Sequence, residues 1–153
     1  MGVITVAGRV RVVQWDRRTG RIVADTGWDA NTVTNGYLAA LTAWAVGTPN
    51  TSQGVPPATQ TILGTGTGTP AVTDTALFAP DTATILACAS RVVLPTPANT
   101  GQWVSVYTAP VGSYTEAGLI TADGTLYAHK LATITISSGT QTTVTWQITA
   151  SAG

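Results

Sequence analysis

"YTEAGLITADGTLYAHKLATITISSGTQTTVTWQITA", residues 114–150, decides the fold class. Asp123-Gly124 divides "YTEAGLIT" from "TLYAHKLA", and an Asp-Gly pair between β-prone runs is a strong hairpin signal. Gly139 divides "TITISS" from "TTVTWQITA" in the same way. The stretch therefore reads as consecutive antiparallel strands joined by short turns.

Upstream, residues 101–110 alternate Trp103, Ser105 and Tyr107 against Val104, Val106 and Thr108, the period of a strand. "ATILACASRVVLP", residues 83–95, reads as one long strand or as two with a kink, and "TIL" as a short strand. At the N-terminus Val6, Val10 and Val12 share one face. Arg9, Arg11, Val13 and Trp15 share the other. Asp16 to Gly20 is a turn, and the return strand covers about residues 21–26, so residues 1–28 form an N-terminal hairpin. One segment has helical spacing: in residues 31–46, Tyr37, Leu38, Leu41, Trp44 and Ala45 repeat on one side. Asn31, Thr32 or Thr34 caps its start, and Gly47 and Pro49 stop it. Residues 48–61 hold three of the eight prolines, have no periodicity and read as a long loop. Eight or nine strands and one helix predict a single, mainly β domain: an antiparallel β-sandwich or jelly-roll-like fold with the helix packed on it and residues 62–150 as its core.

Composition agrees. Charged residues are 9% of the 153, far below an ordinary soluble protein, while about 30 threonines supply polarity on a side chain suited to a pleated surface. Net charge is zero, and without a basic stripe the chain is not expected to bind nucleic acid. No apolar run approaches a membrane span, and the first residues lack the pattern of a signal peptide, so synthesis in a cytoplasm is expected. So few charges protect a surface poorly against association, which points to an assembly. The single cysteine, Cys88, sits in an apolar run and reads as a small buried hydrophobe.

The run "ILGTGTGTPAVTDTAL", residues 62–77, invites a search for phosphate chemistry. A phosphate loop needs a lysine after its last glycine, and none is near. A dinucleotide fingerprint needs glycine where Thr69 stands, and Pro70 donates no N–H. Gly64, Gly66 and Gly68 are therefore read as places of close approach, against a neighbouring backbone near the Glu116 strand. Asp74 is read as capping a short helical turn that anchors Leu77. Other chemistry is sparse: the one glutamate is Glu116, six aspartates are scattered over turns, and the one histidine, His129, lies in a strand without a nucleophile elbow. No catalytic residue, cofactor or metal ligand is assigned. Glu116 inside a strand needs a partner, and Arg91 or a backbone donor is expected to supply it. Trp44 and Trp146 are expected in the core. Trp28, in the loop-like "TGWDAN", is the interface candidate.

The order of these features resembles small virion proteins of tailed bacteriophages, including the collar or baseplate-attachment domain at the start of many tail fibres. The matching positions are Gly64, Gly66, Gly68, Pro70, Thr75 and Leu77, then Arg91, then Glu116, Gly118, Leu119, Asp123, Gly124 and Leu126, within roughly residues 31–146. The resemblance implies a non-enzymatic structural role in the virion, as a capsid decoration or a tail or collar attachment protein. Its implied partners are other capsid or tail proteins and further copies of itself, often as a trimer. A fibre continues into a shaft, whereas this sequence stops at Gly153, so a free-standing component is expected. The alternative is a carbohydrate- or host-surface-binding module with Trp28 and Trp103 as stacking platforms.

Overall fold

A computed structural model describes residues 4–46 and 57–152. The strands are β1 (Ile4–Asp16), β2 (Ile22–Asp25), β3 (Asp29–Val33), β4 (Ala58–Gly64), β5 (Pro80–Ala87), β6 (Ser90–Leu94), β7 (Thr100–Tyr107), β8 (Gly112–Thr121), β9 (Leu126–Ile136) and β10 (Thr140–Ala152), with one helix, α1 (Asn35–Val46). The chain is thus mainly β with one helix, as its hairpin signals predict. Nine strands follow one another in a curled antiparallel sheet, in the order β5-β4-β8-β9-β3-β1-β10-β7-β6, and β2 pairs β1 off this path.

The curl brings the sheet's two ends face to face. Tyr107 on β7 places its hydroxyl between the Thr61 and Thr84 carbonyls, at 3.0 and 2.8 Å. Trp146 Nε1 and Ser105 Oγ both donate to Thr61 Oγ1, at 3.1 and 2.8 Å. Thr61 is fully buried, so each donor finds an acceptor away from bulk solvent. Around these bonds pack Val10, Val12, Leu63, Leu119, Tyr127, Ile134, Ile136, Val144, Trp146 and Ile148. The core place expected for Trp146 is realised, while the side chain of Trp44 lies outside the described residues.

Several boundaries differ from those read in the sequence. The helix begins at Asn35 rather than residue 31, because Asp29–Val33 is a strand that joins both halves of the curl: Gly8↔Asn31 on β1 and Thr32↔His129 on β9. Thr34 carries the first helical carbonyl, accepting from Leu38 N at 3.3 Å, but its hydroxyl donates to Leu126 O instead of capping. Tyr37 stacks edge-on against Tyr127, while Leu38 is 39% exposed. Residues 83–95 are two strands on opposite ends of the sheet. The loop expected over 48–61 ends sooner, since β4 starts at Ala58; residues 47–56 lie outside the described ones. Asp74 caps a turn and no helix: Asp74 Oδ2 accepts from Ala71 N at 2.8 Å. The N-terminal hairpin is no appendage either, for β1 pairs β10 along all 13 of its residues.

Candidate functional site

β8 is buried on both faces, which decides where the chain's unusual residues meet. Successive side chains of a strand point to opposite faces. Ala117 and Leu119 belong to the main core, and Ile120 to a second cluster with Ile62, Leu77 and Leu126. Glu116 and Gly118 share the face of Ile120, and the segment running from the end of β4 to the start of β5 covers that face. Gly118 leaves room for this cover: a Cβ there would meet Leu126 Cδ1 at 2.8 Å and Leu77 Cδ2 at 3.0 Å. Leu77 is buried beneath the turn that Asp74 caps, the anchoring role expected of it.

Glu116 is 0% exposed, and its carboxylate is the hub of the covering segment. Oε1 accepts from Gly66 N at 2.9 Å and Ala79 N at 2.7 Å, while Oε2 accepts from Phe78 N at 3.0 Å and faces His129 Nε2 at 2.8 Å. The other ring nitrogen, His129 Nδ1, lies 2.8 Å from Asp74 Oδ2. Carboxylates offer only acceptors, so both ring nitrogens are donors when both acids are ionised. Phe78 tilts over the imidazole at 4.8 Å between centroids. Burial pushes the Glu116 carboxyl up, but the amides of Ala79, Phe78 and Gly66 together with His129 outweigh it, holding it below the ordinary carboxylate range. Asp74 follows the same pattern: desolvation raises it, and the Ala71 amide with His129 brings it below its ordinary value.

The glycine run exists to let this carboxylate in. A Cβ on Gly64 would stand 2.5 Å from Ala79 O and 2.6 Å from Glu116 Oε1, and one on Gly66 would stand 2.5 Å from the same oxygen and 2.4 Å from Phe78 Cβ. One on Gly68 would press on the Phe78 ring at 2.8 Å. None of the three has positive φ, so the requirement is space and not conformation. Thr115 Oγ1 adds a bond to Gly66 O at 2.7 Å.

Of the sequence-singled residues, Gly64, Gly66, Glu116 and Gly118 come together, with Gly68 at the edge. Arg91 does not join them. It stands exposed on β6, at the rim of an apolar groove of about 340 Å³ that also involves Tyr37, Val93 and Trp103, so the Glu116 partner is backbone and His129 instead. Trp28 is 38% exposed, with the Arg9 guanidinium 4.5 Å above its ring. Trp103 Nε1 donates to Ala58 O at 3.1 Å. His129 and Asp74 are the members the sequence reading missed. The available signal was the rarity of the types: a lone histidine and a lone glutamate on adjacent predicted strands.

Chemically the cluster is a closed chain of hydrogen bonds, from Asp74 through His129 to Glu116 and on to the amides of Gly66, Phe78 and Ala79. His129 is 0% exposed, and both its ring nitrogens lie at hydrogen-bond distance from carboxylates. Among the described residues no group of three or more His, Cys, Asp or Glu is arranged to hold a metal ion. No described helix is long and apolar enough to cross a membrane. Comparisons with protein-family models, curated proteins and solved structures find no match.

Proposed function

We propose that this protein is a non-enzymatic structural component of a tailed-phage virion, a capsid decoration or tail or collar attachment protein that acts through protein–protein assembly. The observation that carries this reading is the use of the buried acid–base groups. Glu116, His129 and Asp74 bond to one another and to the backbone of the glycine run, the segment on which the resemblance to virion proteins rests. A second feature supports assembly. The strands that end the sheet are rich in exposed apolar side chains: Ile85 on β5, Val92 on β6, and Val93 at 80% exposure. Unpaired strand edges bearing apolar residues are surfaces that other chains cover.

The test is co-sedimentation of the purified protein with capsids and with tails from a phage preparation lacking it, followed by electron microscopy of the particles. Binding at a fixed copy number per particle is the expected result. Failure to bind either particle would remove the proposal.

A further inference from the structure

The turn between β1 and β2 forms the tip of an arm. β2 pairs only β1, and all four of its residues are exposed. The tip is rigid: Asp16 Oδ1 accepts from Arg18 N at 2.8 Å and Thr19 N at 2.9 Å, and Arg17 N donates to Gly139 O at 3.0 Å. It presents Arg17, Arg18 and Arg21, all exposed and none in an ion pair among the described residues, beside exposed Ile22 and Val23.

The neutral chain is in fact divided. Residues 1–28 hold five arginines against two aspartates, a net +3; the remainder holds Arg91 and Lys130 against four aspartates and Glu116, a net −3. Arg17, Arg18 and Arg21 gather at the tip, whereas Arg11 pairs with Asp25, Asp29 with Lys130, and Asp74 and Glu116 with His129, which leaves Asp123 as an exposed acid elsewhere. β9 runs from the Asp123 turn to the Gly139 turn, and its 11 residues span about 35 Å, so the arginine tip at Gly139 and Asp123 lie at opposite ends. Asp123 is exposed. Its Oδ1 receives Thr121 and Thr125, while its Oδ2 has no partner among the described residues. It borders a hollow of about 350 Å³ together with Thr73 and Asn35, and exposed Val72 adjoins it.

We infer that the arginine tip of one copy docks on the Asp123 end of a second copy, head to tail. Three exposed arginines at one end and an exposed carboxylate with one oxygen unused at the other make a second copy a complementary partner. A contact between unlike surfaces propagates into rings or open chains. The inference does not depend on the virion reading: loss of particle binding leaves it standing, and a monomeric chain removes it without touching that reading.

Sedimentation velocity of the full chain at about 50 mM and about 500 mM salt is the test, since screening weakens an exposed charge contact. Salt-sensitive self-association is expected. The triple variant Arg17→Glu, Arg18→Glu, Arg21→Glu should weaken it by tenfold or more, as should Asp123→Lys, each at about that order. Asp123→Asn keeps the turn's acceptor and should weaken it by about three- to fivefold, which separates lost charge from a damaged turn. Mixing the triple variant with Asp123→Lys should restore association, because the reversed tip then meets a lysine. A monomer at low salt, association indifferent to the arm reversal, or a mixture that stays dissociated would each overturn the inference.

Discussion

Two excursions leave the sheet, and they use polar groups in opposite ways. The segment between β4 and β5 is fastened by the buried carboxylate of Glu116, which gathers three amides and an imidazole out of reach of bulk solvent. The arm around β2 is braced by surface contacts: Arg11 and Asp25 pair at 2.6 Å with side chains 38% and 29% exposed. The two Arg11 bonds hold Asp25 down at about 2. Desolvation explains the difference in consequence. A buried group stripped of its partner bears its full desolvation penalty, whereas an exposed ion rehydrates. The first excursion is therefore part of the fold, and the second is a surface feature whose charges remain available.

The comparison breaks most easily at Glu116. Glu116→Leu leaves three amides and His129 unsatisfied and should cost about 3–5 kcal/mol in urea denaturation, against about 1.5–3 for Glu116→Gln, which retains an acceptor. A loss under about 1 kcal/mol for the leucine variant would show that the carboxylate does not organise the segment. Next comes Gly66→Ala, whose Cβ meets both Phe78 and the carboxylate and should cost about 1–3 kcal/mol. Gly68→Ala meets only the exposed Phe78 ring, which can swing away, so a loss under about 1 kcal/mol is expected. Equal losses at the two glycines would mean that crowding is not centred on Glu116.

Acid offers a graded version. The folded-state value of Glu116 lies below its ordinary one, so its contribution is complete above about pH 4.3 and is lost as pH falls through the depressed value. The urea midpoint should hold steady down to about that pH as far as this group is concerned, then drop, and drop less steeply in Glu116→Gln. Parallel slopes in the two proteins would contradict the bonding described. The smallest effect belongs to the arm: Val23→Thr should leave stability within about 0.5 kcal/mol by the same measurement.

The hairpins were legible because Asp123-Gly124 and Gly139 are local signals, the latter two glycines sitting at φ of 89° and 79°. The helix was legible from its spacing, but not its start, since Asp29–Val33 becomes a strand only through partners on β1 and β9, distant in sequence. The glycine run was legible as a place of close approach once phosphate binding was excluded, with the Glu116 strand as its expected neighbour. Its partner there could not be chosen, because a carboxylate accepts equally from an arginine and from amides, and only the chain path puts Gly66, Phe78 and Ala79 within reach while leaving Arg91 on a distant edge.

By itself, then, the sequence determined the local matters: an antiparallel β domain, its turns, one helix, and a glycine run needing close approach. These depend on φ preferences and side-chain period, which neighbouring residues set. The tertiary structure alone decided that β1 is central, that β5 and β6 lie at opposite ends, and that Asp74, His129 and Glu116 meet. Such meetings depend on the curl of the sheet, which emerges only when strands distant in sequence pair and bury their apolar faces together.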